Sequence, residues 1–266
     1  MNKQSSRRRF ARIFRTFAAD PTGVIRALPG EIKQRHGGHL RQDSVEEAWN
    51  QQLHGLLRAD WPCDEGHLLD DLLTEVGATL AARGIGFGRS TYGYYSDGDG
   101  SLCRAAWCAA LHTKPEVVIE TGVAHGVTSR IVIEALNLSD RGHLWSIDLP
   151  HPFNRELHTQ TGAAVIDACR PRWSYIEGSS RRRLPSVIDE VSTVQLFIHD
   201  SLHTARNTLF EMEQAARKMP SGGVMLVDDI STHTGFLTFA RRHPEYRTII
   251  CPSADRAGEF GIAVKA

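Results

Sequence analysis

The chain has no uninterrupted apolar run of the ~20 residues that a bilayer-spanning helix needs, so no membrane span is expected. Cysteine is scarce as well. The five thiols, Cys63, Cys103, Cys108, Cys169 and Cys251, show neither C-x-x-C spacing nor the density of a disulfide scaffold, which suits a reducing cytoplasm. Net charge is missing too: 31 basic and 31 acidic side chains give a formal +0, with no whole-molecule attraction to nucleic acid or membrane. Neither internal repeats nor low-complexity tracts occur in the 266 residues, a length that suits one main domain with an N-terminal extension.

The balanced total hides an uneven distribution. Arg7, Arg8, Arg9, Arg12 and Arg15 precede the first acid, Asp20, and Phe10, Ile13, Phe14 and Phe17 recur among them at helical spacing. The start resembles a twin-arginine export signal, but Arg12 and Arg15 fall where its apolar region belongs, so export is not expected. A helix packed on its own protein or a frayed tail is expected here, with weak contact between a basic amphipathic helix and an anionic membrane as the alternative. Gly37-Gly38 reads as a linker. From Ser44 to Ala82 the pattern is helical: Ser44 with Glu47 forms a capping box, and Leu53, Leu56, Leu57, Leu68, Leu69, Leu72, Leu73, Val76 and Leu80 line apolar faces. Residues 84–101 read as an irregular loop. Its Asp97-Gly-Asp99-Gly lacks the later glutamate of a calcium loop and reads as a turn.

A repeating β/α pattern begins near Glu116. Strands are expected at 116–120, 143–148, 173–177, 194–199, 223–228, 246–251 and 259–264, with helices at about 128–138, 155–169, 181–190, 205–218 and 232–242. Short apolar strands separated by helices predict a mostly parallel sheet covered on both faces. The last two, separated only by residues 252–258, predict an antiparallel hairpin. The division expected is a basic, helical N-terminal segment over 1–90 and an α/β domain over 91–266.

The most informative stretch is Val117-Val-Ile-Glu120-Thr-Gly122-Val-Ala-His125-Gly126-Val-Thr128-Ser129. An apolar strand ends in an acid, enters a loop with two glycines and starts a helix that Thr128 or Ser129 can cap. Such a junction at the head of a doubly wound sheet binds nucleotide-like ligands. A dinucleotide fingerprint needs a central glycine, Gly-x-Gly-x-x-Gly, which is absent here. Asp148 ends the second strand ~20–30 residues later, where an acid can accept hydrogen bonds from both ribose hydroxyls. Tyr175-Ile-Glu177-Gly178-Ser179 ends the third strand; Gly178 permits close approach, and Ser179 could meet a base edge.

Two more strand ends carry acids. Val194-Gln-Leu-Phe-Ile-His199-Asp200-Ser201-Leu202-His203 presents polar residues past its strand, and Gly223-Val-Met-Leu-Val-Asp228-Asp229 ends in adjacent carboxylates. In a doubly wound sheet these ends share one edge, so Asp200, Asp228 and Asp229 should converge and repel one another unless a cation joins them. Oxygen ligands without thiols suit a hard ion, Mg2+ first. Both Asp228 and Asp229 can ligate only if the chain turns between them. His203 starts the next helix and is placed to act as a base.

The Glu120-x-Gly122-x-x-x-Gly126 spacing resembles the first motif of class I S-adenosylmethionine-dependent methyltransferases. Asp200, Asp228, Asp229 and His203 look like the metal triad and base of magnesium-dependent O-methyltransferases of the catechol and macrolide-sugar types. In the catechol enzymes the position matching His203 is a lysine; in the sugar enzymes it is a histidine. Catechol-type enzymes have an asparagine or a second acid as the third ligand, and the acid pair here makes the site more anionic. His199-Asp-Ser-Leu-His-Thr204 and Glu120-Thr-Gly-Val-Ala-His-Gly126 look most like methyltransferase family 24, which is similar to cephalosporin hydroxylase-like proteins.

The resemblance covers roughly Tyr92 to the C-terminus. It implies a Rossmann-like fold with a seven-stranded sheet, Glu120, Gly122, Gly126, Asp148 and Ser179 holding S-adenosylmethionine, and Asp200, Asp228 and Asp229 holding Mg2+. His203, with Asp200, would carry catalysis on a hydroxyl of a sugar or small metabolite. Nucleic acid is not an expected partner; a homo-oligomer is open. His125 either approaches the methionine part of the cofactor or faces solvent. Tyr92, Tyr94 and Tyr95 either pack on the domain or form a lid. Arg181-Arg182-Arg183 reads as a solvated helix start or an anion contact. The rival readings are a nicotinamide oxidoreductase on the same fold and a non-catalytic binding protein.

Overall fold

Apolar residues alternate along the strands and decide the architecture. Val117, Ile119, Ile147, Phe197, Met225, Val227 and Ala263 bury on one face, while Val118, Leu144, Leu196, Ile198, Val224, Leu226 and Ile262 bury on the other. A sheet apolar on both sides must be covered on both sides. The computed structural model describes residues 49–63, 66–88, 90–93, 97–149, 151 and 154–266. The basic stretch, the Gly37-Gly38 linker, the Ser44–Glu47 capping box, Tyr94 and Tyr95 lie outside them.

The helices Trp49–Leu57 (α1), Gly66–Ala81 (α2) and Gly100–Thr113 (α3) precede the strand Val117–Thr121 (β1). Then follow Val127–Leu138 (α4), His143–Asp148 (β2), Arg155–Gln160 (α5), Trp173–Glu177 (β3), Ser180–Glu190 (α6), Leu196–His199 (β4), Ala205–Ala216 (α7), Val224–Val227 (β5), Gly235–Arg242 (α8), Tyr246–Pro252 (β6) and Glu259–Lys265 (β7). The sheet runs β3-β2-β1-β4-β5-β7-β6. Strands β1 to β5 are parallel, and β7 is antiparallel to both β5 and β6. This is the expected Rossmann-like, seven-stranded sheet with its C-terminal hairpin. One face packs on α1 to α4, the other on α6, α7 and α8. No helix among the described residues is long and apolar enough to cross a membrane.

Three local expectations give way. Residues 100–113 form α3, where the sequence reading placed the end of a loop and then no element. Leu102, Cys103, Ala105, Ala106, Trp107, Cys108, Ala109 and Ala110 are all buried, so the helix has no polar face to generate the period that betrays a surface helix. Asp99 caps it, accepting from the Ser101 and Leu102 amides at 2.9 and 3.2 Å. The expected helix over 155–169 stops at Gln160: Gly162 turns at φ 72°, and a 3-10 turn with Pro171 follows over 167–172. The helical stretch expected over 44–82 is two helices, broken after Leu57 where Arg58 adopts φ 57°. Helix α2 is fastened to the core by the buried Arg130, whose guanidinium bonds Glu75 and Glu134 at 2.7 Å each.

The parallel strands bring their carboxyl ends to one edge, and β1 and β4 meet there backbone to backbone. Gly122 sits at φ 87°, and a Cβ on it would lie 1.8 Å from the carbonyl oxygen of Asp200. The glycine is required by the neighbouring strand as well as by the turn. Gly122→Ala should therefore destabilise the protein by at least about 2 kcal/mol in denaturant unfolding. Gly55→Ala, in mid-helix with nothing within 4 Å, should gain about 0.5–1 kcal/mol in the same assay.

Candidate functional site

The loop after β1 is built on buried polar contacts. Glu120 is 1% exposed, and its Oε2 accepts from Ser129 at 2.5 Å and from Ser146 at 2.7 Å. Burial pushes its pKa up to about 7 despite those donors. Ser129 is thus spent on Glu120 rather than on the helix end. Gly126, at φ 81°, takes the cap position of α4 without a side-chain cap, which corrects the expectation for Thr128 and Ser129. Asp148 ends β2, and the amides of Val123, Ala124 and Leu149 donate to its carboxylate, while burial raises its pKa to about 7. Ser179 occupies the cap position of α6 just past β3, at the same sheet edge as Asp148.

His125 is neither solvent-facing nor free to approach a ligand. It is fully buried, with Nδ1 2.8 Å from Asp97 Oδ1 and Nε2 3.2 Å from Gln160 Oε1. Asp97 in turn accepts from Thr91 Oγ1 at 2.7 Å, and Tyr92 stands edge-on to the His125 ring at 5.0 Å. The segment before α3 is thereby tied to the glycine loop, and Tyr92 packs on the domain. Asp99 Oδ2 accepts from the Ala254 amide at 2.8 Å, so the same turn also holds the β6–β7 hairpin. Arg181 covers the Phe210 ring at 4.4 Å and Arg183 bonds the Glu177 carbonyl at 2.9 Å, so these two basic side chains have local partners.

Beside this loop, the ends of β4 and β5 bring two of the three predicted acids, Asp200 and Asp228, together with His203, and leave Asp229 outside that group. Ligand atoms of Asp200, His203 and Asp228 all lie within 4.8 Å of one another. His203 Nε2 is 3.6 Å from Asp200 Oδ1 and 4.0 Å from Asp229 Oδ2. The chain does turn at Asp229, which adopts φ 52°, so Asp228 and Asp229 can address one space. Burial and the mutual repulsion of Asp228, Asp229 and Glu120 raise the Asp200 pKa well above the carboxylate range. Asp228 is pushed up to about 8, by burial first and then by Asp229 and Asp99. His203 is held below its ordinary value by burial, and its buried Nδ1 has no hydrogen-bond partner. Acids that resist ionisation until a cation arrives are what a divalent-ion site consists of before loading.

One residue that carries this arrangement is not evident from the strand-end pattern. Glu211, on the sheet-facing side of α7, is wholly buried. Its Oε2 meets His199 Nδ1 at 2.6 Å and Thr121 Oγ1 at 2.5 Å, and its Oε1 accepts from Ser201 at 2.8 Å and Asn207 at 2.7 Å. His199 and these donors hold its pKa down to about 2 against the opposing effect of burial. The available signal is Asn207, Thr208 and Glu211 sharing the helix face that also carries Met212 and Ala215, polar groups where an apolar stripe is expected.

Residues 119–230 match the family described as a methyltransferase domain. Among solved structures, the chain resembles the O-methyltransferase TomG of Streptomyces achromogenes, involved in tomaymycin synthesis and bound to S-adenosylmethionine. The two are 13% identical with a TM-score of 0.54, over 73% of this chain and 89% of that one. An O-methyltransferase from Bacillus cereus in complex with S-adenosylhomocysteine is 14% identical, TM-score 0.53, over 82% and 97%. The S-adenosylhomocysteine-bound methyltransferase PaMTH1 of Podospora anserina is 12% identical, TM-score 0.53, over 86% and 99%. None of the curated proteins matches the chain. Residues 119–230 thus resemble a methyltransferase domain, and the sheet around them has the fold that these solved structures share.

Two expectations follow from the electrostatics. Glu211→Ala removes the carboxylate shared by His199 Nδ1, Thr121, Ser201 and Asn207 inside the sheet's cover, and should cost about 3–5 kcal/mol in denaturant unfolding. The Glu211 contribution is present above the ordinary carboxylate pKa near 4.5 and is lost as pH falls toward about 2. Cation binding should run the other way. Because burial and Asp229 push the Asp228 pKa up to about 8, a cation binding there would have to displace its proton at neutral pH. Affinity should fall as pH drops below that value, approaching about tenfold per unit, with proton release seen by calorimetry in buffers of different ionisation enthalpy.

Proposed function

We propose that the protein transfers the methyl group of S-adenosylmethionine to a hydroxyl oxygen of a sugar or small metabolite, with Mg2+ held by its acid cluster. The observation that carries this reading is the meeting of Asp200, His203, Asp228 and Asp229 at strand tips beside the Gly122–Gly126 loop. Support comes from the methyltransferase-domain match and from O-methyltransferases among the structures that share the fold.

The residues fit both groups. The glycine loop brings the Val123 and Ala124 amides to Asp148 at the end of β2, where a carboxylate can accept from ribose hydroxyls. Asp148 at the strand edge, with Glu120 buried behind it, suits a ligand with an ammonium and a sulfonium better than a pyrophosphate, because a nearby cation favours the ionised form of both acids. S-adenosylmethionine supplies a methyl carbon activated by its sulfonium. The oxygen atoms of Asp200, Asp228 and Asp229 would hold Mg2+, which lowers the pKa of a hydroxyl bound to it.

His203 takes the hydroxyl proton in this scheme. Burial keeps the imidazole neutral at neutral pH, so it is ready to accept, and the adjacent carboxylates stabilise the imidazolium that results. Ser201 and Asn207, bonded to Glu211, fix the loop that carries Asp200 and His203. Fixing acceptor oxygen against methyl carbon supplies much of the remaining rate. A second reading rests on the tight grouping of His203 with Asp200 and Asp228: the imidazole itself could ligate a metal softer than Mg2+.

His203→Ala distinguishes these. As a base, His203 should cost about 10²–10⁴ in kcat when removed, with S-adenosylmethionine and Mg2+ affinities held within about threefold. An equal loss of metal affinity would instead make it a ligand. The acid limb of the wild-type pH–rate profile should lie below the ordinary histidine value of 6.5 and vanish in the variant. Activity that survives exhaustive chelation, or calorimetric binding of NAD without S-adenosylmethionine, would overturn the proposal.

A further inference from the structure

We infer that the chain carries a second, structural metal site, a tetrahedral zinc centre formed by His54, Cys63, Cys108 and His112 on the far side of α3 from the strand-tip acids. Ligand atoms of the four residues all lie within 4.8 Å of one another. They come from three places: His54 from α1, Cys63 from the turn after it, and Cys108 with His112 from the last two turns of α3. Cys108 and His112 are four residues apart on one helix and therefore share a face.

His54 supplies the independent observation. The side chain is fully buried, and its Nδ1 lies 2.7 Å from the carbonyl oxygen of Asn50, which accepts the Nδ1 proton. That bond fixes the tautomer and leaves the Nε2 lone pair pointing elsewhere. Nε2 has no hydrogen-bond partner. A buried nitrogen without a partner forfeits its hydration, so one left in a native fold calls for an explanation. A histidine that bonds a backbone carbonyl through one nitrogen and offers the other is how metal-ligating imidazoles are oriented. The remaining geometry agrees: Cys63 Sγ lies 3.3 Å from His112 Nε2. Zinc–sulfur and zinc–nitrogen bonds of about 2.3 and 2.0–2.1 Å place tetrahedral ligands roughly 3.5 Å apart.

The donor set selects the ion. Two thiolates and two neutral imidazoles make a soft-to-borderline, closed tetrahedron suited to zinc and unsuited to Mg2+. Binding displaces the two thiol protons and leaves no open position for a substrate, so the centre is structural. Its place agrees with that role. The acids Asp99, Asp200 and Asp228 act electrostatically on Cys103 near the start of α3, whereas the proposed ligands sit at its end. The nine residues from Cys103 to His112 span on the order of 14 Å of helix. Zinc would clamp α1 and the turn after it onto the helix that underlies the methyl-transfer site. The inference does not depend on that activity.

The test uses the full chain. Metal-free protein titrated with Co2+ alone should develop thiolate-to-cobalt charge-transfer bands and the visible bands of a tetrahedral ion, saturating at about one equivalent and displaced by Zn2+. Asp228→Asn should keep these bands, which separates this centre from the strand-tip acids. Cys63→Ser and Cys108→Ser should each lose the charge-transfer intensity and drop bound zinc from about one per chain to below about a tenth. A folded wild-type protein that shows no thiolate–cobalt bands overturns the proposal without recourse to any variant. Bands that persist in both serine variants, or a Cys63–Cys108 disulfide found by mass spectrometry in protein isolated under reducing conditions, overturn it as well.

Discussion

Glu211 holds a depressed pKa inside the cover of the sheet because groups from the ends of two strands and from the loop after the second converge on it. Thr121 belongs to the end of β1, His199 to the end of β4, and Ser201 to the loop that carries the acids. One carboxylate therefore ties the strand that launches the glycine loop to the strand that presents Asp200. Backbone contact completes the join: Gly122 lies so close to the Asp200 carbonyl that no side chain fits between. A donor cleft on one side and an acid cluster on the other are held in register by this joint. Methyl transfer needs that kind of register, because reacting atoms must be held within a fraction of an ångström of their attack geometry.

The same edge contrasts two treatments of a buried carboxylate. Glu211 is given its donors by the fold and stays ionised. Glu120 is buried, and Asp148, Asp200 and Asp228 are half-buried, with too little compensation, and their pKa values rise. Such groups are relieved by positive partners, which favour their ionised forms. The cleft thus stores an affinity for cationic ligands, and the two cationic groups of the proposed donor together with a divalent ion answer it. A nicotinamide dinucleotide would bring pyrophosphate charge into this field, which argues against it independently of the missing glycine.

The parts legible in the sequence are those whose signal is local. Strand ends marked by Glu120, Asp148, Asp200 and Asp228 follow from short apolar runs stopped by acids, and the parallel sheet with its closing hairpin follows from the helices between the first strands and the short turn between the last two. The parts that were not legible depend on burial or on distant partners. Helix α3 is apolar all round, so its period is silent. Ser129 reads as a cap in isolation and serves Glu120 in the fold. His125 reads as a loop histidine, and only Asp97, Thr91 and Tyr92 arriving from an earlier segment bury it. The two thiols of the His54 cluster are remote in sequence, so no C-x-x-C spacing announces them.

The segments ahead of β1 are part of the site's foundations. Leu53, Leu69, Leu72, Val76 and Leu80 bury in the same core as Val118, Leu196 and Ile198, so the hydrophobic layer crosses residue 90 without a seam. Asp97 and Asp99, two residues apart, reach in different directions: one to His125 in the glycine loop, the other to Ala254 in the hairpin. Helix α3 begins at that turn and ends at the His54 cluster. A clamp at the end of α3 thereby limits how far the Asp97–Asp99 turn can drift, and with it the glycine loop and the hairpin. Rigidity supplied at the base of α3 is in this way transmitted to the cleft through packing alone, without any residue of the clamp touching a ligand.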